Sequence, residues 1–503
     1  RRRDGGARGA RRRGAEGGVS GAARRTGVGG FVLLALATAL PALLIAVHDP
    51  RIPTATRTWA ALLWVLCTLP AWARALAAPP RRPFPFLPVV GFLYGGYYAL
   101  PISSPVGVMV QGFVTLNPTR DYDRPVLLAL AGWAALLAGY VVTGVVLGRS
   151  RRAAPPVPLD PGVLAGWGLC LLWGSVGVEL ARTTGRVPPV LGGFLNLFTS
   201  MGWFGGGLLV ILALRGELAG WRRGATAAGI GLAMALQLAG GAAAGVIVWG
   251  MVLFLSVALV RGYPGHRWTA ALVVLACCAL LYRGVKGEYT RVAWYGAEQI
   301  SPARKVAVAA ALVSASVREH GAGKAVLLGL ERSGRWGTID VFADVVRSTP
   351  QRVPYWDGAT YRSLVGALVP RVLWPGKPEK RLGNDFGHRY GYLTREDLST
   401  SVNFPFLVEF FANFAAAGVV LGMLAVGTLY QALERRINRP GQDPLVSILA
   451  VSVFVPLFNI ESDFSLIFGG IIMAGAAQWA ILRTIRFHAR APRPAVPAGE
   501  AAP

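Results

Sequence analysis

The chain consists of long apolar stretches separated by short polar segments. Most stretches are about 16 to 25 residues long, which lets an α-helix cross a hydrocarbon core of about 30 Å. Because several are short for a span, the pattern predicts an all-α polytopic membrane protein with about twelve transmembrane helices, within a range of roughly eleven to thirteen. The predicted segments are Phe31–His48, Trp59–Ala73, Phe84–Leu100, Pro125–Leu147, Gly162–Leu180, Leu195–Leu214, Ala225–Ala239, Val246–Val260, Thr269–Leu281, Phe406–Leu433, Leu445–Ile460 and Leu466–Leu482.

Lysine and arginine are distributed unevenly between alternate loops. With the N-terminus placed in the cytoplasm, the short inner loops carry 14 basic residues and the short outer loops carry 6. Cytoplasmic loops of membrane proteins are enriched in Lys and Arg, so both termini are predicted to be cytoplasmic. The same orientation places Gly284–Asn403 outside, and a loop of that length is exempt from the charge rule.

One polar stretch of about 120 residues interrupts the apolar pattern, and such long connections are usually functional. The first apolar run has no cleavable signal pattern before it and is expected to act as an uncleaved anchor. The predicted organisation is a disordered basic cytoplasmic tail at 1–30, a nine-helix bundle at 31–283, an extracytoplasmic loop at 284–404, three further transmembrane helices at 405–486, and a cytoplasmic tail at 487–503.

Composition and charge agree with a membrane protein. Apolar residues make up 53% of the chain and charged residues 15%, whereas soluble proteins carry about 25% charged residues. The net charge of +26 does not indicate nucleic-acid binding, because the basic residues stand at the ends of apolar segments and crowd both termini, where they meet anionic lipid headgroups. All four cysteines lie in apolar runs, which excludes a disulfide framework and a zinc site.

The long loop has internal order. Ala303–His320 and Gly337–Val346 show helical apolar spacing, and Ala359–Leu368 is a third helix candidate. The following stretch, Pro370 to Asn403, has little periodicity and is rich in glycine, proline, aromatic and charged residues. These residues are expected to serve contact with a ligand more than packing.

Cations and proton acceptors are concentrated in this stretch. Arg371, Lys377 and Arg389 offer the donors that an anionic phosphate requires. A base for a sugar hydroxyl requires a carboxylate or an imidazole, and Asp385, His388 or Glu409 supplies one. In the competing interpretation, the prolines fix turns and the arginines bind lipid headgroups.

Charged residues form three further groups, two at predicted membrane segments and one in the long loop. Glu409 and Asn413 are four apart and share a helix face; the glutamate is either functional or a capping residue at the interface. Glu179 and Arg182 share a helix face, and Arg332, Arg335 and Asp340 form a second cluster in the loop. For the last two groups, a simple ion pair or a solvated face is at least as good an interpretation.

Several of these motifs together resemble the Wzy-type oligosaccharide repeat-unit polymerases. The resemblance covers residues 330 to 430, and the stretch from Glu179 to Gly185 is also similar. The motifs that carry it are Tyr355–Gly358, Pro370–Pro378, Phe386–Gly391, Ser401–Asn403 and Glu409–Phe414. These polymerases join lipid-linked repeat units outside the cytoplasmic membrane. A tight turn in such polymerases often carries an arginine, whereas the turn at Gly240–Gly245 has none.

The resemblance implies a glycosyltransferase of the bacterial cytoplasmic membrane that needs no metal or other cofactor. Its expected partners are a polyprenyl-pyrophosphate-linked oligosaccharide, membrane lipids and, as a candidate, a chain-length regulator. The candidate catalytic residues are Asp385, His388, Glu409 and Asp340. The candidate substrate-binding residues are Arg182, Arg335, Arg371, Lys377, Arg389, Tyr390 and Asn413.

Three other functions stay open at this point. A metal-dependent glycosyltransferase of the GT-C architecture places an acidic pair in an early outer loop, and Asp121-Tyr122-Asp123 has that form, although in the second outer loop. A relative of the O-antigen ligases would use the same donor with a different acceptor. A transporter of lipid-linked glycans is disfavoured because the sequence shows no internal repeat.

Overall fold

The computed structural model describes residues 28–47, 51–77, 82, 84–103, 109–110, 113–114, 116–117, 120–148, 159–184, 192–218, 220–240, 243–261, 266–293, 300–331, 337–368, 374, 381–398, 400–440, 442 and 444–488. These residues are almost entirely helical, with one antiparallel hairpin of two-residue strands, β1 (Met109–Val110) and β2 (Phe113–Val114). The helices are α1 (Val28–Val47), α2 (Thr54–Leu76), α3 (Phe86–Tyr98), α4 (Asp123–Val146), α5 (Pro161–Thr183), α6 (Gly192–Arg215), α7 (Trp221–Ala239), α8 (Ala243–Arg261), α9 (His266–Ala293), α10 (Pro302–His320), α11 (Ala322–Glu331), α12 (Thr338–Ser348), α13 (Arg362–Leu368), α14 (Leu382–Arg389), α15 (Phe406–Ile437), α16 (Pro444–Leu457) and α17 (Phe464–His488).

The predicted class is confirmed: the protein is a helical membrane protein. Each of the twelve predicted apolar segments coincides with a helix. Within the described part of the chain, seven helices are long and apolar enough to cross a membrane. They are Gly30–Val47, Thr54–Leu76, Asp123–Val146, Pro161–Thr183, Phe198–Arg215, Phe406–Ile437 and Phe464–His488. Two shorter apolar helices, Gly245–Arg261 and Val446–Leu457, fall below that length, so the count of twelve spans stays a prediction.

Helices α4 and α15 pack closely along their length. A Cβ atom on Gly139 of α4 would lie 2.1 Å from the Leu424 carbonyl oxygen, and one on Gly427 of α15 would lie 1.9 Å from the Leu136 carbonyl oxygen. Close backbone approach at glycine is how membrane helices gain packing energy where lipid provides no hydrophobic drive. This pair forms the centre of one large hydrophobic core, to which α2, α3, α12 and α14 also contribute.

A second core lies among α5, α6 and α7, with buried side chains from α8, α16 and α17. Helix α8 joins the two cores, because Trp249 packs in the second and Val252 and Leu255 pack in the first. Many large apolar side chains on the outer helices, such as Leu33 and Val47 on α1, are exposed. An apolar exposed surface of this extent is what a bilayer covers.

The segment between α9 and α15 has the predicted helices at residues 303–320 and 337–346, and the third at 359–368 as a 3₁₀ turn (Ala359–Tyr361) followed by α13. Three features differ from the sequence interpretation. Helix α11 (Ala322–Glu331) was not predicted. Helix α9 continues to Ala293, so the predicted boundary at residue 284 lies inside a helix. A helix, α14, also forms in the stretch without clear periodicity, because Leu382 and Phe386 bury against Phe404 and the core.

Helix α15 is broken near its start. Phe414 and Ala415 leave helical geometry, and Ala415 has a φ of 54°. A Cβ on Gly418 would lie 2.2 Å from the Phe410 carbonyl oxygen, and one on Gly422 would lie 2.6 Å from the Phe410 ring. In a straight helix, positions 12 residues apart would be separated by about 18 Å. Residues 406–413 therefore fold back against the start of the long segment 415–437.

A buried polar network ties the other end of α4 and α15 to the segment before α3. Glu434 pairs with Arg82 at 3.1 Å and accepts a hydrogen bond from the Tyr140 hydroxyl. Asn438 bonds both the N–H and the carbonyl of Phe84, at 2.9 and 2.6 Å. Because partners satisfy these charged and amide groups, the network can stay buried and fix the relative position of three elements.

Candidate functional site

Helix α12 carries the centre of the site. Its apolar face, with Ile339, Phe342 and Val345 fully buried, packs against α4 and α15. Phe342 contacts the ring of Tyr98 edge-on at 6.3 Å and that of Phe411 at 6.0 Å. This packing fixes the helix on the broken end of α15 and aims its polar face, which carries Asp340, Asp344 and Arg347, at the neighbouring loops.

The segment before α4 reaches Asp340 through two side chains. Arg120 forms an ion pair with the Asp340 carboxylate and also donates to its carbonyl oxygen at 3.0 Å. The Tyr122 hydroxyl donates to the same carboxylate. Burial raises the pKa of the Asp340 carboxyl above its usual range, although Tyr122 and Arg120 act in the opposite direction. The site therefore joins parts of the chain that are 220 residues apart.

Asp344, one turn further along α12, contacts three partners. Its Oδ1 atom lies 3.3 Å from a guanidinium nitrogen of Arg120 and 3.1 Å from one of Arg347. Its Oδ2 atom accepts a hydrogen bond from the Tyr392 hydroxyl at 2.9 Å. Burial, together with the Asp344 charge, raises the pKa of Tyr392, so this hydroxyl stays protonated and remains a donor.

These side chains border an open cavity of about 390 Å³. Four arginines and a single carboxylate face it, so its net charge is strongly positive. Arg347 and Arg352 are exposed at its edge. The lining residues are Arg120, Asp344, Arg347, Ser348, Arg352, Val353, Arg389, Tyr390, Gly391 and Tyr392.

Arg389 and Tyr390 enter the cavity wall from the end of α14. The Arg389 guanidinium donates to the carbonyl oxygens of Pro354 and Tyr355, at 2.7 and 3.2 Å, and lies 4.2 Å above the Trp356 ring. Tyr390 shares a hydrogen bond with Thr349 at 2.8 Å, and burial raises its pKa. The cavity wall thus offers a fixed cation, phenol hydroxyls and aromatic faces.

The sequence predicted some of these residues and missed others. Arg389 and Tyr390 line the cavity, and Asp340 holds Arg120 beside it. Arg120, Asp344, Arg347 and Arg352 were not predicted. The available signal was the spacing of Asp340, Asp344 and Arg347, since residues at i, i+4 and i+7 of a helix share a face. The predicted helix ended at Val346, one residue before Arg347, whereas the observed helix continues to Ser348.

The other predicted catalytic residues of α14 do not line the cavity. Asp385 is exposed on the first turn of α14. His388 is half-buried, and its Nε2 atom is buried without a hydrogen-bond partner among the described residues. Both lie within one turn of Arg389 in the same short helix, so they stand beside the cavity wall.

Glu409 and Asn413 are fully buried and hold the break in α15. The Glu409 carboxylate accepts a hydrogen bond from the Phe464 N–H at 2.7 Å, at the start of α17. Asn413 accepts from the Gly358 N–H at 2.8 Å and donates to the Thr360 hydroxyl at 3.0 Å. These contacts support the capping interpretation of Glu409.

Arg182 lies in a separate cluster at the end of α5. The Glu179 Oε1 atom accepts from the Thr199 hydroxyl at 2.7 Å and from the Gln237 amide at 3.1 Å, and lies 3.5 Å from Arg182. The cluster joins the ends of three helices and shares no residue with the cavity. The predicted residues Arg335, Arg371 and Lys377 lie outside the described residues.

Acidic side chains are the candidate metal ligands of this protein. Among the described residues, no group of three or more His, Cys, Asp or Glu side chains is arranged to hold an ion. The Asp121–Asp123 pair is engaged within the fold, since Asp121 accepts from the Asp123 N–H at 2.9 Å and Asp123 accepts from the Thr56 hydroxyl.

The fold and the cavity define a helical membrane protein with an arginine-lined site beside a broken helix. The model of a family described as a domain of unknown function, DUF8712, matches residues 169–440. This match covers more than half of the chain, and the chain belongs to that family. No curated protein and no solved structure matches the chain.

Proposed function

We propose that the protein is a glycosyltransferase that polymerises polyprenyl-pyrophosphate-linked oligosaccharide repeat units. The observation that carries the proposal is the cavity in which four guanidinium groups face one carboxylate. Arg352 and Arg389 have no carboxylate partner among the described residues, so their charge is available to an anion. A pyrophosphate is a compact polyanion, and guanidinium groups bind it through paired, charge-assisted hydrogen bonds.

The reaction divides into two tasks. The oxygen of an acceptor sugar hydroxyl attacks the anomeric carbon of the growing chain, and the bond from that carbon to the pyrophosphate oxygen breaks. The pyrophosphate gains negative charge as it leaves, and fixed arginines stabilise that charge. The hydroxyl proton passes to a base, for which Asp385 and His388, next to Arg389, are the candidates. Tyr390 and Tyr392 supply hydroxyls and rings for the sugars.

The predicted topology supports the same function. We place the protein in the bacterial cytoplasmic membrane with about twelve spans and both termini inside. Residues 294–404 then lie outside, where the lipid-linked units would meet, and a chain-length regulator is the candidate protein partner. The sequence-predicted cations Arg371 and Lys377 belong to the same stretch and are proposed to extend the anion site.

Reconstitution tests the proposal directly. The purified full chain in lipid nanodiscs, supplied with a polyprenyl-pyrophosphate-linked oligosaccharide, is expected to produce a ladder of products that differ by one repeat unit. A chelator is expected to leave the ladder unchanged, because the proposed charge stabilisation comes from arginines. Loss of the ladder on chelation and its return with manganese would favour the metal-dependent glycosyltransferase. No ladder from an intact lipid-linked donor would contradict the proposal.

Deletion of the gene separates the remaining alternatives. Loss of a polymerase leaves single repeat units attached to the final acceptor. A missing ligase instead leaves long polymer on the lipid carrier, and a missing transporter leaves no repeat units outside. The broken helix α15 is a feature that transporters use for substrate binding. Here the Ala412 carbonyl at the break accepts from the Trp356 N–H at 3.0 Å, and the Asn413 side chain accepts from the Gly358 N–H at 2.8 Å.

A further inference from the structure

Asp344 is an unexpected residue in a cavity for an anion. It is the single carboxylate among the lining residues, and only 7% of its surface is exposed. A carboxylate next to an anion site repels the ligand, and a buried carboxylate also carries a desolvation cost. A fold that retains such a group therefore requires a compensating contribution from it.

The contacts of Asp344 supply that contribution. Among the described residues, the partners of its carboxylate are three cavity-lining side chains: Arg120, Arg347 and Tyr392. These three come from separate parts of the chain, namely the segment before α4, α12 itself, and the loop after α14. Arg120 also lies outside the region that the family model matches, residues 169–440.

We propose that Asp344 is the positioning residue of the cavity, holding Arg120, Arg347 and Tyr392 in the arrangement that binds the pyrophosphate of the lipid-linked donor. This inference rests on the proposed function. Long arginine side chains lose considerable rotamer entropy on binding. A carboxylate that fixes two of them beforehand lowers that cost and orients their donors.

The direction in which one substitution changes the affinity for an anion distinguishes positioning by Asp344 from repulsion by its charge. If Asp344 positions the arginines, Asp344→Asn removes the charge that holds both guanidinium groups and weakens anion binding. If Asp344 acts only through its field, the same substitution removes a repulsive charge and tightens anion binding. Glu396→Gln is the matched control. Glu396 is an exposed carboxylate in the loop after α14, which also carries Tyr392, and it is not among the residues that line the cavity.

The experiment measures the affinity of the detergent-solubilised full chain for inorganic pyrophosphate by titration calorimetry. We expect Asp344→Asn to weaken binding by about tenfold or more, the scale of a lost charge-assisted hydrogen bond. Glu396→Gln is expected to leave the affinity unchanged or slightly higher. Arg347→Gln should cost less in the Asp344→Asn background than in the wild type, because the two residues act as one unit.

A second variant keeps the test valid if Asp344→Asn does not fold. Asp344→Glu conserves the charge and moves the carboxylate by one methylene, so positioning predicts weaker pyrophosphate binding and a pure field effect predicts no change. Tighter binding by Asp344→Asn, or unchanged binding by Asp344→Glu, would overturn the inference. A wild-type protein that does not bind pyrophosphate would overturn the proposed anion site itself.

Discussion

Ala415 has a backbone conformation that is ordinarily reserved for glycine. Its φ of 54° and ψ of −148° place the carbonyl where a Cβ atom is crowded, at a strain of about 1–3 kcal/mol. The strain lies at the break in α15, two residues after Asn413, which anchors the Gly358 turn. The surrounding hydrogen bonds therefore hold a conformation that Ala415 alone would not adopt.

Replacement of this alanine tests the strain. Ala415→Gly is expected to raise the thermal unfolding midpoint, with a net gain of about 1 kcal/mol after the entropic cost of glycine. Ala425→Gly, at an exposed position in the regular part of the same helix, should lower stability by about 0.5–1 kcal/mol. Equal losses in both variants, measured by differential scanning fluorimetry in detergent, would show that Ala415 is unstrained.

Asp340 gives the site a pH dependence. Burial raises the pKa of its carboxyl in the folded protein, with Tyr122, Arg120 and the Asn117 N–H opposing and Asp344 adding to the shift. A raised pKa means that the folded state favours the protonated carboxyl. The contribution of Asp340 to the free energy of unfolding is therefore complete below the ordinary pKa of about 4, and it is lost as the pH rises through the raised pKa.

In Asp340→Asn the side chain at this position is neutral at every pH. The variant therefore does not lose this stability as the pH rises. The unfolding midpoint of the variant, minus that of the wild type, is expected to increase between about pH 4 and about pH 7. Scanning fluorimetry at a series of pH values measures the difference. A difference that decreases with rising pH would mean that Arg120 outweighs burial at this carboxyl.

At the scale of elements, the contact between α4 and α15 determines the relative positions of the segments that form the site. Arg120 precedes α4, and the break in α15 supports α12, so the cavity depends on how these helices pack. Their backbones approach closely at Gly139 and Gly427. The sequence predicted both helices but not their pairing, because a glycine in an apolar run does not identify the helix that it contacts.

A methyl group at this contact should separate the helices. Gly427→Ala places a Cβ against the Leu136 carbonyl oxygen, a backbone atom that cannot move aside, and is expected to cost about 1–3 kcal/mol of stability. Gly470→Ala is the matched control, since a Cβ at this helical position meets open space. The thermal midpoints of the two variants should differ clearly, and equal values would contradict the packing.

At the scale of the whole molecule, the sequence predicted what depends on local patterns. Apolar segments of sufficient length became helices, and the periodic parts of the long loop became α10, α12 and α13. The break at Ala415 was not predicted, because the run from Phe406 to Leu433 reads as one continuous apolar helix. The contact of Arg120 with Asp340 was also missed, since no local pattern reports a partner 220 residues away.

The orientation of the cavity is a further prediction at this scale. In a protein without its four native cysteines, Thr394→Cys in the exposed loop after α14 is expected to react with a membrane-impermeant maleimide in intact cells. Glu217→Cys, in a predicted inner loop and also exposed, should react only after lysis. The reverse pattern would place the cavity in the cytoplasm and exclude polymerisation on the outer face.

The central claim is that the arginine-lined cavity is the site of polymerisation. The most direct test compares polymer length in cells that depend on this protein for polymer, with membrane abundance of every variant matched by immunoblot. Arg352→Ala and Arg389→Ala are expected to reduce polymer synthesis by roughly 10²- to 10³-fold, the usual effect of removing one donor to a developing negative charge. Arg395 is an exposed arginine in the loop after α14 that does not line the cavity, and Arg395→Ala should produce the wild-type ladder. Wild-type ladders from both cavity variants at normal abundance would contradict the account.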